Sequence, residues 1–371
     1  MPSVHDIINL MEELAPTRLA ESWDPVGLQV GAKDWPVRLI WVALDPLPEV
    51  VAAACDQHVD LLITHHPLLF QPVKNLDFNS PTGSILFQAA VHQLAVYSAH
   101  TNLDKVSGGL NDILAKRIGL DSVDVLAPTE DAEFCKLVLY VPADYEQQVL
   151  SALFQTPAGI IGEYSCCAFR NAGKGSFLPG SQARPFIGKA GEISHVDEIR
   201  IETLVGKKDI SAVLSHVRSH HPYQTMAFDV YPLLPVESGH GFGRTGTIAG
   251  RMNLFQFAQT VKEKLCLPNV KISGKPDMMV QRAAVCSGSG SSLLNAFFAS
   301  TADVYISGDL RYHDARAAES AGKALIDIGH FSSEHLMIEP IRDYLRRRIS
   351  SASWEVRVEA YQLEKDPFVM I

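Results

Sequence analysis

The chain has 371 residues, 47% of them hydrophobic and 20% charged, the composition of a soluble globular protein with room for two or three domains. Its 32 basic and 42 acidic side chains leave a formal net charge of −10, so a polyphosphate backbone meets an average field of its own sign and nucleic acid is disfavoured as the main partner. No apolar run approaches the roughly 20 residues a bilayer needs, the first residues show neither a basic nor an apolar leader, and Cys55, Cys135, Cys166, Cys167, Cys266 and Cys286 form no CxxC pair, which together predict a cytoplasmic protein with reduced thiols and no membrane partner.

Helix-period and strand-period segments alternate through the first third. Residues 4–14 carry apolar positions at helical spacing, 37–44 form a β-rich apolar run, and 48–58 read as a helix with Pro48 in its first turn. A buried strand is predicted at 60–64, a helix at 84–93, a strand at 94–98 and a helix at 109–118. Such alternation implies βαβ units and a mostly parallel sheet in an α/β domain.

The middle has a different rhythm. Strand 135–141, helix 145–154 and strand 164–169 precede a loop containing Gly173, Gly175, Pro179, Gly180, Pro185, Gly188 and Gly191. Strand 199–205, helix 210–218 and strand 226–231 follow it. This βαββαβ order is that of a ferredoxin-like α+β domain. It is placed at 130–236, as an insertion between two parts of the core, 1–129 and 237–371. The last third returns to alternation, with helices at 254–265, 292–299, 313–321 and 332–348, strands at 279–286, 304–307 and 324–328, and an edge strand at 354–359.

Three segments that follow predicted strands carry metal-ligand chemistry. In Thr64-His65-His66-Pro67 an apolar strand runs into two histidines, at the strand end where open α/β sheets bind ligands. Neighbouring side chains of extended chain point to opposite sides, so each histidine is expected to serve a different ion. In His100-Thr101-Asn102-Leu103-Asp104, Asp104 offers a carboxylate and His100 an imidazole, although Asp104 alone reads as well as a helix cap. In Gly329-His330-Phe331-Ser332-Ser333-Glu334, His330 and Glu334 are four apart, a spacing that puts two ligands on one helical face. His330 could equally lie in the turn before that helix. A carboxylate such as Glu334 can bridge two cations. Brought to one sheet edge, three histidines and two carboxylates fit two divalent ions, zinc, iron or manganese, better than a thiolate-seeking metal.

Other motifs are less specific. Asp309 and His313 follow the strand predicted at 304–307 and read as partners of the ligands or proton carriers, or as a helix cap and a structural histidine. Ser287, Gly288, Ser289 and Gly290 lie between a strand and a helix N-terminus, where backbone N–H groups can hold a phosphate, though they match neither GxGxxG nor a P-loop. His220-His221-Pro222-Tyr223 has no partner carboxylate in sight and reads as a loop or interface element. Arg346, Arg347 and Arg348 complement a helix C-terminus.

These motifs, together with Trp23-Asp24-Pro25-Val26-Gly27-Leu28-Gln29-Val30-Gly31 and Ser307-Gly308-Asp309, resemble the Nif-three-like family, often labelled GTP cyclohydrolase 1 type 2 homologues. The resemblance spans most of the chain. It implies that the paired-metal ligands fall on His65, His66, Asp104, His330 and Glu334, with His100 close by. It implies that the middle segment, through 162–164, the glycine-bearing loop and His221-Pro222-Tyr223, is similar to the PII and CutA type of ferredoxin-like domain found in long members. It also implies a homo-oligomer, a hexameric ring with metal sites facing its cavity. Pro25 departs from the Asn found there in many members. The function so implied is a metal-dependent hydrolase acting on a small molecule, a nucleotide, phosphoester or cyclic amide. The alternative is a metal or small-molecule sensor without catalysis.

Overall fold

The computed structural model describes residues 1–129, 134–162, 164–233 and 239–369. Glu163 and the boundaries placed at 130 and 236 lie outside the described residues. The chain divides into two compact units, Met1–Thr129 with Ser238–Ile371, and Glu130–Glu237.

The first unit is mixed α/β, with two sheets. One has five strands in the order Gly27–Val30, Ala95–Ser98, Leu61–Thr64, Leu39–Ala43, Arg357–Ala360. Only the first pairing is antiparallel. The strands Leu61–Thr64 and Ala95–Ser98 are buried along their whole length, because helices cover both faces of the sheet. Ile7 and Met11 of the helix Val4–Leu14 and Ile341 and Leu345 of the helix Ile338–Ser351 pack on one face with Ile40, Val42, Leu61 and Ile63. Val50, Val51 and Ala54 of Pro48–Asp56 and Ile85 and Ala89 of Pro81–His92 pack on the other with Leu62 and Val96. Each fully buried Val, Leu, Ile or Met among these contributes roughly 1.5–3 kcal/mol of transfer free energy. Ser3 and Asp6 form a capping box that starts the first helix.

The second sheet has six strands in the order Lys271–Ser273, Ala324–Asp327, Val304–Gly308, Met279–Ser289, Gly241–Asn253, Leu120–Pro128. Its three middle members, from Ala324–Asp327 to Met279–Ser289, run parallel, and the other pairings are antiparallel. The expected mostly parallel sheet therefore holds only for the five-stranded one. The long hairpin of Leu120–Pro128 with Gly241–Asn253 joins segments 113 residues apart at their nearest ends, Pro128 opposite Gly241, and no local pattern foretells that pairing. Buried Arg244 fastens it. Its guanidinium reaches both oxygens of Asp112 at 2.9 and 2.7 Å and the carbonyls of Gly241, Gly243 and Val106. A buried charge with its donors met in this way is tolerated, and one stripped of its partner is not.

The helix expected at 332–348 is broken. A five-residue helix, His330–Glu334, is followed by a tight turn at His335–Met337 and by Ile338–Ser351. Pro340 is the reason: inside a continuous helix it would lack an N–H and clash with the preceding turn, and the restart at Ile338 puts it in a first turn instead.

In the second unit four antiparallel strands lie in the order Ala168–Phe177, Ser194–Gly206, Phe134–Pro142, Phe228–Pro232, with helices Glu146–Phe154 and Ile210–Arg218. This is the βαββαβ order. Leu137, Leu139, Val141 and Ile201 face the helices and form the core with Val149, Leu153, Val213 and Val217. The strand expected at 164–169 lies instead at Ala168–Phe177 and takes in Gly173 and Gly175, since it pairs with Ser194–Gly206 over ten residues.

Candidate metal centre

The cluster gathers at the carboxyl ends of strands from both sheets of the first unit, rather than at one sheet edge. His65 and His66 follow Leu61–Thr64. His100 precedes the short helix Thr101–Lys105, which carries Asp104. His330 and Glu334 are the first and last residues of His330–Glu334, behind the strand Ala324–Asp327. The two adjacent histidines do not point apart. The strand has ended at Thr64, both backbone amides donate to Leu44 O at 3.1 Å, and the alternation of extended chain no longer applies. Their rings converge, with centroids 5.2 Å apart.

Glu334 sits at the centre and is almost fully buried. One of its oxygens, Oε1, lies 3.6 Å from His65 Nε2, and the other, Oε2, lies 3.1 Å from His66 Nε2 and 2.9 Å from His330 Nε2. Asp104 Oδ1 is 3.8 Å from His65 Nε2. The His100 ring is 5.0 Å from that of His65 and 5.4 Å from that of His66, centroid to centroid. Among the described residues, donor atoms within 4.8 Å of one another form two groups, His65, His66 and His100, and His66, His330 and Glu334.

Each ring is held from its far side. His65 Nδ1 is 2.8 Å from Ala99 O, His66 Nδ1 2.8 Å from Asp45 Oδ1, His330 Nδ1 2.7 Å from Asp309 Oδ2, and His100 Nδ1 3.0 Å from Asp24 Oδ1. A backbone carbonyl can only accept, so the proton of neutral His65 is on Nδ1, and carboxylates select the same tautomer in the other three. Every Nε2 lone pair is then turned toward the cluster. His65 Nε2, 3.6 Å from Glu334 Oε1, and Glu334 Oε2 are both buried there without a hydrogen bond. Buried polar atoms are otherwise almost always paired. Imidazole nitrogens oriented by carboxylates, beside orphaned carboxylate oxygen, fit divalent zinc, iron or manganese.

The charges agree with that fit. Burial opposes a charge on His66, yet Asp45 and Glu334 outweigh it and push the imidazole up to about 10. The Glu334 carboxylate 2.9 Å away, against burial and with help from Asp309, pushes His330 up to about 9. Burial also resists a charge on His65, and Glu334 and Asp104 through space still raise it. Burial lifts Asp104 above the ordinary carboxylate range. Burial acts on Glu334 in the same direction, but His65 and the other imidazoles hold it well below that range. The pocket therefore demands positive charge, from protons or from metal ions.

Asp309 thus lies on His330, whereas His313 is exposed and its neighbouring ring is Tyr312, outside the cluster. The run Ser287 to Gly290 does not present its first N–H groups to an anion. Ser287 N–H donates to Asn111 Oδ1 and Gly288 N–H to Ser333 Oγ, while Ser287 Oγ donates to Asp104 Oδ1 at 3.0 Å. Gly288 has φ +60°, and a Cβ there would overlap the Glu334 carboxylate. The run packs under the cluster, with Ser289 still in the strand and Gly290 opening the next turn. Two participants had no role assigned from sequence. Asp24 belongs to the Trp23-Asp24-Pro25 motif, and Asp45 follows the strand Leu39–Ala43 as the histidines follow theirs, a positional signal that could have found it. Glu364 in turn accepts from the Leu44 and Asp45 amides at 2.8 to 3.0 Å and steadies that turn.

Residues 2–367 match the family model described as Duf34/NIF3 (NGG1p interacting factor 3). The chain is 39% identical over 365 residues to a Bacillus subtilis protein named GTP cyclohydrolase 1 type 2 homolog, covering 98% of each. Among solved structures it is similar to a Bacillus cereus protein related to NIF3, at 36% identity and TM-score 0.71, and to a Staphylococcus aureus protein, at 30% identity and TM-score 0.79, each match covering 100% of this chain and 99% of the other.

Proposed function

This chain belongs to the Duf34/NIF3 family, and from that premise we propose that it is a hydrolase dependent on two divalent metal ions. The carrying observation is the division of the cluster by Glu334, with Oε1 toward His65 and Oε2 toward His66 and His330. His65 and Asp104 would hold one ion, His66 and His330 the other, and Glu334 both. Bound there, two such ions would supply Lewis acidity toward an electrophile and lower the pKa of water.

The chain's own residues supply orientation and proton handling. Asp45, Asp309 and Ala99 O fix three imidazoles through Nδ1. His100 is the proton carrier: it bonds Asp24 through Nδ1 and keeps Nε2 free to accept a proton, after which Asp24 stabilises the imidazolium. Burial opposes charge on Asp24, but bonds from His100 and Thr101 hold its carboxyl below the usual value. Exposed Trp23 stands edge-on to His100 at 6.3 Å, with Phe70 5.8 Å from Trp23, an aromatic surface suited to a planar substrate group. The substrate classes are nucleotides, phosphoesters and cyclic amides, with GTP first because relatives carry that name.

Protein reconstituted with zinc, manganese or iron(II) would be screened across those classes, with Glu334→Gln as control. Turnover abolished by Glu334→Gln is expected. A fully loaded wild type that turns over none of them rejects the hydrolase reading. The inserted unit we read as PII- and CutA-like on its βαββαβ order, and the assembly as a hexameric ring on family resemblance. Light scattering should then report six times the 40.6 kDa chain mass, and a monomer would reject the ring.

A further inference from the structure

We propose that the inserted unit binds a small organic cation of the alkylammonium class, in a cavity between the helix-free face of its sheet and the segment that follows Phe177. The cavity holds about 460 Å³, within the roughly 300–1,000 Å³ typical of small-molecule sites. Core residues Leu139, Val141 and Ile201 face the helices, and the alternating positions Tyr140 and Glu198 face the cavity.

Phe177, Phe186 and Tyr223 give it three aromatic walls in addition to Tyr140. The Tyr223 ring centroid is 6.0 Å from that of Phe177 at an interplanar angle of 62°, and 6.5 Å from that of Phe186 at 54°. All three rings lie in the lining of the cavity. Aromatic faces around a pocket attract a cation through their quadrupoles, and alkylated ammonium groups are the ligands this arrangement suits.

Glu198 adds the charge. Among the described residues it is the only charged side chain in the lining. Neighbouring cations are engaged elsewhere, Arg200 with Glu202 and Lys174 with Asp197. Among the described residues no Lys, Arg or His forms an ion pair with Glu198. The Tyr223 hydroxyl donates to Glu198 Oε1 at 2.8 Å. Burial and that bond hold the phenol above its ordinary range, so it stays a donor. The second oxygen, Oε2, lies over Gly175, where any Cβ would overlap it. A carboxylate without a counter-ion, beside three aromatic walls, selects a cation over a neutral ligand of the same shape.

The test is a calorimetric titration of the full chain with choline and with its uncharged carbon isostere, 3,3-dimethylbutan-1-ol. Choline should bind saturably and roughly 10-fold or more tighter than the isostere. Glu198→Gln keeps an acceptor for Tyr223 and should remove that preference. Phe186→Ala should weaken choline by roughly 3- to 10-fold, with an unchanged circular dichroism spectrum showing that the unit is folded. Glu334→Gln, in the metal cluster, should leave choline binding at the wild-type value. Absence of saturable choline binding, equal affinity for the two probes, or wild-type selectivity in Glu198→Gln would each overturn the proposal.

Discussion

Asp45→Asn tests whether the carboxylates behind the imidazoles set metal affinity. Asp45 Oδ1 lies 2.8 Å from His66 Nδ1, so the substitution keeps shape and removes charge at a direct hydrogen-bond distance. Loss of a partner behind a ligating histidine typically weakens metal binding about 10–100-fold, or about 1.4–2.7 kcal/mol. A second effect opposes the first. Asp45 also helps push metal-free His66 up to about 10, so at neutral pH a metal ion must displace a proton that the variant holds less tightly. A dication loses more from the missing charge than a proton does, so the net sign stays a loss. Because proton competition fades as pH rises toward 10, the deficit should widen between pH 6.5 and 8.5. His65, oriented by the neutral carbonyl of Ala99, is untouched, and the ion it would hold should keep its affinity. Stepwise zinc titration against a chromophoric chelator reads both affinities. Melting temperature in excess zinc gives a check independent of activity, since stabilisation follows the logarithm of ligand over Kd. Unchanged affinity in both steps, or equal loss in both, refutes the reasoning.

His100→Ala should leave two metal ions per chain while turnover of the substrate found by screening falls by roughly 10²–10⁴; loss of a metal in elemental analysis would make His100 a ligand. Pro128 and Gly241 are cross-strand partners, so replacing residues 130–238 by a four-residue Gly/Ser turn should give a folded remainder that still binds metal. An insoluble or metal-free product would show that the core needs its insert. In the inserted unit, burial lowers His221, whose Nε2 lies 3.0 Å from Tyr140 O while Nδ1 accepts from the Tyr223 amide at 3.1 Å. The folded unit therefore binds the proton less readily than the unfolded chain. Its stability is full above about pH 6.5 and is lost as pH falls toward the folded value, by at most about 1.4 kcal/mol per pH unit. Hydrogen-exchange protection of the strands Phe134–Pro142 and Ser194–Gly206 should drop from pH 7.5 to 5 after correction for intrinsic rates. Protection independent of pH, or an equal drop in His221→Asn, would reject it.

The sequence by itself determined what local chemistry dictates. Apolar periodicity located the helix Val4–Leu14 to the residue and the buried strands that end before His65, His100 and His330. Residue types and the i, i+4 spacing of His330 and Glu334 pointed to metal-binding chemistry, because a helix of that length puts both on one side whatever surrounds it. Pro340 was also there to be read as a helix start. What crosses the chain was decided only by tertiary structure. The pairing of Leu120–Pro128 with Gly241–Asn253 builds one edge of the six-stranded sheet, and side chains on strands far apart in sequence carry no mutual signal. The convergence of His65 and His66 depends on both amides turning to Leu44 O, which overrides the period-two rule at the strand end. Asp45 became a partner of His66 for the same reason: an isolated carboxylate in sequence is a solvated charge until the fold sets it 2.8 Å from a ring nitrogen.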